Sequence, residues 1–386
     1  MKIALCSKGN FSLEKGFTKN RIELAESLQK LGWETILVDK NKLGIPLGNK
    51  YNATTHSQAL KNYLIENYYE FDVVLYEYDT LPFDRSEFNK HTLFIARPAI
   101  LAYHESVIKL KYNLKTKVSS LIRDVRNKLN GSKKDHKTLF KHLNYCLSQA
   151  DLIQVQNKKD QELLISHGFG KPKIIIVPNG ISSERIVEFG SNSKQYQKPF
   201  TVAFVGTFDF RKGAMDFPLI FKRIKEKFPD LKLKLLGTRG MFFSSQQVLD
   251  FFPKKFHSDI EVIPAFKAEE LPDFLKECHI GIFPSYLESF GFGALEMMCA
   301  GLPVVAYDSP GPSDFILPDL LVPTGDVKQF SEKVITSLED KNLLEHNGQK
   351  ARQTVIKSYC WDDIAKDVDC HYKNHLEKLR RRPVLS

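Results

Sequence analysis

Residues 279–306 read HIGIFPSYLESFGFGALEMMCAGLPVVA, and this stretch decides the fold. The apolar run at its start predicts a short buried strand that a Pro-Ser pair ends. Phe292 to Ala300 follows with helical spacing and stops at a Gly-Leu-Pro terminator. A second apolar run, Val304–Ala306, predicts the next strand. A helix between two apolar strands indicates an α/β architecture with a parallel sheet.

Two glutamates bracket the start of this helix. Glu288 lies in the strand-to-helix loop, and Glu296 lies about a turn and a half into the helix at roughly 3.6 residues per turn. Gly291 and Gly293 have no side chains to cover the backbone where the helix begins, and such a helix N-terminus suits a phosphate group. The two carboxylates suit the hydroxyl-rich ends of a sugar nucleotide. The stretch therefore indicates both a ligand and its orientation.

The rest of the chain repeats the alternation of apolar strands and amphipathic helices, and its 386 residues suffice for two domains. We expect a first domain over 1–180, a polar linker over 181–199 and a second domain over 200–360. The predicted strands are Lys2–Cys6, Glu34–Val38, Val73–Tyr76, Leu93–Ala96, Leu152–Gln156 and Ile174–Val177, then Phe200–Val205, Leu231–Leu236, Ile260–Ile263, His279–Phe283, Val304–Ala306 and Leu320–Val322.

Composition and charge narrow the class of protein. No apolar stretch approaches the roughly 20 residues of a membrane-spanning helix, and the six cysteines form no Cys-x-x-Cys pair, which favours reduced thiols in the cytoplasm. The formal net charge is +10, and residues 104–145 carry eleven Lys or Arg against three Asp or Glu. This basic segment indicates an anionic partner, such as a membrane surface, nucleic acid or an acidic acceptor. The alternative is a solvated helical excursion.

Glu288-x7-Glu296, followed by Ala300-Gly-Leu-Pro-Val-Val-Ala306, resembles the donor-site pattern of retaining GT-B glycosyltransferases of family 4. The resemblance implies two Rossmann-like, doubly wound domains facing a cleft, with ligand at the carboxyl ends of the strands. It also implies that a C-terminal helix within 361–386 crosses back to the N-terminal domain. The resemblance is specific in the second half of the chain and weaker in the first.

The resemblance also implies residue roles in the second domain. Gly206-Thr-Phe-Asp-Phe-Arg-Lys-Gly213 is similar to the family's Gly-Arg-x-x-x-x-Lys-Gly element, whose cations hold the nucleotide diphosphate. Lys212 matches the family lysine, Thr207 replaces the arginine, and Arg211 is the candidate substitute for the missing charge. The alternative for both cations is a solvated pair of charges in a loop.

Further roles follow for the Glu-x7-Glu stretch and its neighbours. The Glu296 carboxylate is expected to accept hydrogen bonds from the two ribose hydroxyls, and Glu288 is expected to contact the transferred sugar. The backbone amides of Phe290, Gly291 and Phe292 are expected to face the sugar and phosphates. For the Phe290 side chain, core packing and ligand contact stay equal alternatives. By position in the fold, the nucleobase is expected against the loop that starts at Pro264.

The first domain departs from the family pattern. Gly9 and Gly16, in the loop after the first strand, are candidates to approach the donor phosphates and the acceptor, with a plain turn as the alternative. Relatives carry a histidine soon after the fourth strand, whereas here Arg97 occupies the strand exit and His104 comes several residues later. His104 is retained as a catalytic candidate against a structural role.

These features predict a metal-independent, retaining hexosyltransferase without a cofactor. It is expected to move a hexose or N-acetylhexosamine from a nucleotide diphosphate sugar, with UDP favoured and GDP as the alternative, to a glycan or lipid-linked acceptor of cell-surface polysaccharide or glycolipid synthesis. We expect it in the cytoplasm, peripheral on the inner face of the membrane. A sugar-nucleotide epimerase or hydrolase of the same fold stays an alternative. A non-enzymatic protein that binds anionic polymers such as nucleic acid is less favoured, because the basic segment has few interleaved aromatics.

Overall fold

The structure is a computed structural model of the 386-residue chain. It describes residues 1–12, 16–46, 53–80, 83–106, 108–113, 116, 136–190 and 197–381. The chain divides into two compact units: the first takes Met1–Tyr103, Lys134–Ser182 and Cys360–Ser386, and the second takes His104–Lys133 and Ser183–Tyr359.

The first unit contains a parallel sheet flanked by helices. Its strands are β1 (Lys2–Cys6), β2 (Glu34–Val38), β3 (Val73–Glu77), β4 (Leu93–Arg97), β5 (Leu152–Val155) and β6 (Ile174–Ile176). Its helices are α1 (Gly16–Lys30), α2 (Ala53–Asn67), α3 (His136–Gln149) and α4 (Lys158–Ser166). The strands pair in the order β2-β1-β3-β4-β5-β6, all parallel, so the order reverses between β1 and β3.

The last helix of the chain belongs to this first unit. Trp361 is 1% exposed and donates its indole N–H to Glu23 of α1, 2.9 Å away. In return, the indole N–H of Trp33 donates to the Asp369 carboxylate of this last helix at 2.7 Å. Buried side chains such as Tyr372 pack this helix against the sheet core. The returning C-terminal helix expected from the sequence is therefore confirmed, and Asp369 has a structural partner.

The second unit contains a second parallel sheet. Its strands are β7 (Thr201–Val205), β8 (Lys232–Leu236), β9 (Ile260–Ile263), β10 (Ile280–Phe283), β11 (Val304–Tyr307) and β12 (Leu321–Val322). Its helices are α5 (Ser183–Glu188), α6 (Phe217–Lys227), α7 (Ser245–Leu249), α8 (Leu271–Lys276), α9 (Phe292–Cys299), α10 (Val327–Glu339) and α11 (Lys341–Ser358), before α12 (Trp361–Arg381) of the first unit. The order is β12-β11-β10-β7-β8-β9.

Each predicted strand is present, and its ends lie within one residue of the prediction. Most of these buried parallel strands are short, continuous apolar runs bounded by turn residues, which explains this accuracy. Within the predicted linker, Ser183–Glu188 forms a short helix. Residues 191–196 lie outside the described part. His104 to Asn113 fall with the second unit, whereas the sequence analysis placed them in the first domain. Half of the basic segment, residues 114–115 and 117–135, also lies outside the described residues.

Candidate functional site

The candidate site lies where the strand order of the second sheet reverses, between β7 and β10. Ligands of doubly wound sheets bind outside the carboxyl ends of the strands at such a switch point. The loop after β7 carries Gly206 to Gly213, and the loop after β10 carries Pro284 to Gly291. Both predicted donor segments therefore leave the sheet at this position.

The side chains of Lys212 and Glu288 form an ion pair across the switch point, between Lys212 Nζ and Glu288 Oε1. They are 13% and 7% exposed, so little solvent screens the attraction. The Lys212 ammonium also lies 5.3 Å from the centre of the Phe283 ring. The structure thus brings together the predicted cation and the predicted sugar-contacting carboxylate.

Backbone contacts hold these two loops against each other. The Tyr286 amide donates to the Arg211 carbonyl at 2.8 Å. Gly213 has φ +85°, and an added Cβ would overlap the Pro284 carbonyl oxygen. Only glycine therefore allows the loop after β7 to pass this close to the loop after β10.

Asp209 organises the loop after β7, and the sequence analysis did not single it out. Its carboxylate accepts a hydrogen bond from the Lys212 amide at 3.0 Å and one from the Thr207 hydroxyl at 3.1 Å. Arg211 Nη2 lies 3.8 Å from the same carboxylate, and the Arg211 side chain is 33% exposed. Thr207, in the position of the family arginine, thus helps to fix the loop, while Arg211 stays accessible at its surface.

Helix α9 begins at the same edge of the sheet. Gly291 caps it with φ +104°, and no side chain caps the first turn. Gly293 approaches β7 so closely that an added Cβ would overlap the Val205 carbonyl oxygen. The positive end of a helix dipole lies at the N-terminus of the helix and attracts anions. The predicted phosphate-binding helix therefore starts beside the end of β7.

Two buried hydroxyls lie along this edge. Ser285 follows β10 and is 0% exposed, and Ser309 follows β11 and is 1% exposed. Neither Oγ has a hydrogen-bond partner among the residues that the structure describes. Because buried hydroxyls are nearly always hydrogen-bonded, these two fit a site that completes its bonding with a polar ligand.

Of the remaining predicted donor residues, one is buried in the core and the others are half-buried. The Phe290 side chain is 1% exposed and packs on Phe315 at 5.1 Å between ring centres, so it belongs to the core; the ligand-contact alternative is not supported for this side chain. Phe292 and Glu296 lie half-buried on α9. Pro264 is half-buried, and its carbonyl accepts the Arg239 amide at 2.9 Å. The contacts of Glu296 and Pro264 with a donor stay predictions.

The first-half candidates lie apart from this group in the chain, and their roles stay predictions. The Gly9 amide donates to Ser7 Oγ at 3.3 Å, and Gly16 is the first residue of α1. His104 is 7% exposed, and its carbonyl accepts the Ile108 amide. Arg97 donates to Asn179 at 3.1 Å, and burial lowers the pKa of its guanidinium.

A buried polar cluster adjoins the site, and the sequence analysis missed it. Asp216 is 0% exposed, and its carboxylate accepts hydrogen bonds from the hydroxyls of Tyr286 and Tyr307, both at 2.7 Å. Lys111, from the basic segment, donates to the other carboxylate oxygen at 2.8 Å. These residues are far apart in the chain, so no local spacing signals the cluster. Lys111 is thus engaged by a carboxylate of its own unit.

In comparison with known proteins, most of the second unit resembles glycosyltransferases in sequence. Residues 188–354 match the family model described as Glycosyl transferases group 1. The chain is 27% identical to an uncharacterized glycosyltransferase of Methanocaldococcus jannaschii, over 61% of each protein. It is 22% identical to the capsular polysaccharide biosynthesis glycosyltransferase CapM of Staphylococcus aureus, over 59% of this chain and 62% of CapM. The chain therefore spans about three fifths of the length of these curated relatives.

Solved structures give the fold. Sucrose-phosphate synthase from Thermosynechococcus elongatus superposes with a TM-score of 0.73 at 18% identity, covering 98% of this chain and 99% of that one. HepE of Anabaena, in complex with UDP, superposes with a TM-score of 0.69 at 14% identity, covering 97% and 100%. These likenesses confirm the α/β fold of the GT-B type. The family match adds a likeness to glycosyltransferases in sequence over residues 188–354.

Proposed function

We propose that this chain is a retaining glycosyltransferase that moves a hexose or N-acetylhexosamine from a nucleotide diphosphate sugar to a glycan or lipid-linked acceptor. UDP is the favoured nucleotide, with GDP as the alternative. The similarity to CapM supports a role in cell-surface polysaccharide or glycolipid synthesis, and the bound UDP of HepE supports the choice of nucleotide. We further place the activity in glycosyltransferase family 4, on the Glu288-x7-Glu296 pattern.

The observation that carries this proposal is the Lys212–Glu288 pair at the switch point, beside the first turn of α9. Negative charge builds on the diphosphate as it leaves the sugar. Lys212, Arg211 and the α9 amides would stabilise that charge, and preorganised electrostatic stabilisation is commonly the largest catalytic contribution. Glu288, next to Lys212, would contact the transferred sugar, and Glu296 would accept the ribose hydroxyls.

Retention requires the acceptor to attack the face from which the diphosphate departs. The departing phosphate oxygen can then take the proton of the acceptor hydroxyl, so the reaction needs no strong base from the protein. We propose that the two cations replace the metal ion that other transferases use to neutralise a diphosphate. Turnover that is unchanged by EDTA supports this assignment, and turnover restored by adding Mg²⁺ or Mn²⁺ after EDTA contradicts it.

The basic segment 104–145 motivates a peripheral position on the inner face of a membrane. In the described part of the chain, no helix is long and apolar enough to cross a bilayer. Each Lys or Arg near an anionic surface contributes about 1 kcal/mol, so several together would hold the protein there. Flotation with anionic and neutral vesicles at low and high salt tests this. Equal binding to both vesicles would exclude electrostatic anchoring.

A thermal-shift screen of UDP-, GDP- and ADP-sugars tests the function itself. A ligand at 100 times its dissociation constant stabilises the folded state by about 2.7 kcal/mol, which shifts the melting temperature measurably. We expect UDP-sugars to give the largest shift. Turnover of the bound donor is then measured with and without a glycan acceptor. Fast donor consumption without acceptor would favour the epimerase or hydrolase alternative, and the absence of any shift would contradict a nucleotide-sugar site.

A further inference from the structure

The buried carboxylate of Asp216 links the two loops that carry Lys212 and Glu288. Asp216 follows Lys212 by four residues, and its amide donates to the Gly213 carbonyl at 2.8 Å. Tyr286 precedes Glu288 by two residues, and its hydroxyl donates to Asp216 Oδ2 at 2.7 Å. The side-chain bond thus connects the loop after β7 to the loop after β10, close to both members of the ion pair.

The geometry of this link is fixed at both ends. The Tyr286 amide donates to the Arg211 carbonyl, so the tyrosine is tied to the loop after β7 by its backbone and by its hydroxyl. Burial, together with the hydrogen bond to Asp216, raises the pKa of Tyr286 above its usual range, so the hydroxyl stays protonated and keeps donating. Lys111 lies over the Tyr286 ring at 5.7 Å and supplies a positive charge to the carboxylate.

We propose that Asp216 and Tyr286 are positioning residues that hold Glu288 against Lys212. A fully bonded buried network restricts its members to one arrangement, and here the restricted segment is the one that bears the ion pair. Only the description of that ion pair as the donor site rests on the proposed function. Without the link, the loop after β10 keeps its backbone bond to Arg211 and loses the side-chain bond that fixes its approach.

Tyr307 provides a matched control within the same cluster. Its hydroxyl donates to the same oxygen, Asp216 Oδ2, over the same 2.7 Å. It lies at the end of β11, however, and leads into Asp308 rather than into the loop of Glu288. If the cluster only stabilises the fold, Tyr286→Phe and Tyr307→Phe have the same consequences. If Tyr286 positions Glu288, only Tyr286→Phe disturbs the ion pair.

The first measurement requires no donor substrate. Each purified variant is treated briefly with an amine-acylating reagent, and modification of Lys212 is quantified by mass spectrometry. Lys225, which is 11% exposed and pairs with Asp259 at 2.8 Å, serves as the internal standard. We expect Tyr286→Phe to raise the labelling of Lys212 about threefold to tenfold, the effect of losing one hydrogen bond. We expect Tyr307→Phe to leave it unchanged, although both variants melt at similarly lower temperatures.

Equal labelling of Lys212 in the two tyrosine variants overturns the proposal, whatever the donor proves to be. If Tyr286→Phe does not fold, Asp216→Asn is compared with Lys111→Met. The first weakens the acceptor of the Tyr286 hydroxyl, and the second removes a cation but keeps the link. Increased labelling in Asp216→Asn alone supports the proposal, and the same labelling in both overturns it.

A second measurement connects the link to donor chemistry. With the nucleotide sugar that gives the largest thermal shift, we expect Tyr286→Phe to lower kcat about threefold to tenfold, while Tyr307→Phe keeps kcat within twofold. A change confined to KM in Tyr286→Phe contradicts positioning of the Lys212 charge. If no nucleotide sugar binds, the proposed function fails, while the labelling result still decides the positioning role.

Discussion

The two sheets place a Lys–Glu ion pair at the same topological point. In the first unit, Lys8 follows β1 and lies 3.3 Å from Glu77 at the end of β3, across the reversal of strand order. In the second unit, Lys212 follows β7 and contacts Glu288 after β10, across the corresponding reversal. Parallel strands that diverge at a switch point leave a crevice where such side chains meet.

The two pairs differ in what surrounds them. Arg21, 1% exposed on α1, also pairs with Glu77 at 3.2 Å, and Lys8 pairs with Asp79 at 2.6 Å. The charges of the first switch point thus pair with one another within the unit. At the second switch point, the same edge of the sheet carries the loop after β7, which bears Lys212, and the start of α9, which Gly291 caps without a side-chain hydrogen bond. Both switch points thus bring a lysine and a glutamate together, and they differ in the groups around the pair. On the proposed function, the pair of the second unit binds the donor and the pair of the first unit stabilises the fold.

Loss of the Lys212 charge is expected to have the largest effect on function. Lys212→Met should lower kcat for donor turnover by about 10²- to 10³-fold, because a preorganised charge opposite the departing diphosphate is removed. Lys225→Met is the matched control, since Lys225 is similarly buried and paired with Asp259 in the same unit. Steady-state kinetics of both variants check the prediction. Equal losses in the two would indicate general destabilisation.

Loss of Arg21 is expected to lower the stability of the fold rather than the rate of donor turnover. Arg21→Met leaves Glu77 buried with fewer partners, which should lower the free energy of unfolding by about 3 kcal/mol. Lys2→Met breaks a more exposed pair with Glu34 in the same unit and should cost less than about 1 kcal/mol. Urea unfolding measures both, and nucleotide affinity should be unchanged in each. Reduced nucleotide affinity in Arg21→Met would assign a ligand to the first switch point as well.

The sequence predicts the strands, and it singles out Lys212 and Glu288 separately, because each of these features depends on local pattern. It does not predict the ion pair between them, which joins residues 76 positions apart. Most strands are short, nearly continuous apolar runs, and Lys212 lies at a fixed distance from Gly206 in the loop. The Asp216 cluster depends on side chains 70 and 91 residues away, so no local spacing reveals it. The sequence left the Phe290 side chain undecided between core packing and ligand contact for the same reason, since its partner Phe315 comes from another loop. What the sequence misses is therefore tertiary pairing.

Glu296 of the second unit is expected to affect the affinity for the nucleotide rather than the rate of the reaction. Glu296→Ala should weaken binding of the nucleotide about tenfold or more, because the ribose hydroxyls lose a charged acceptor. Glu296→Gln keeps an acceptor oxygen and should retain more of the affinity. Isothermal titration with UDP measures both variants. Unchanged affinity in Glu296→Ala would refute the ribose role and leave Lys212 as the principal donor contact of the second unit.

The smallest expected effect is a pH dependence of stability, and it should be the same for a buried thiol of either unit. Burial raises the pKa of the Cys6 thiol in β1 and of the Cys299 thiol in α9 to about 12, from an ordinary value of 9.0. Above pH 9 the unfolded chain releases these protons while the folded protein keeps them, so stability is full below pH 9 and falls as the pH rises towards 12. Each thiol should account for a loss of about 1 kcal/mol between pH 9 and 10. Urea unfolding at pH 8, 9 and 10 should show a shallower dependence in Cys6→Ala and in Cys299→Ala, by the same amount; a slope equal to that of the parent protein in either variant would show that the thiol of that unit ionises in the folded state.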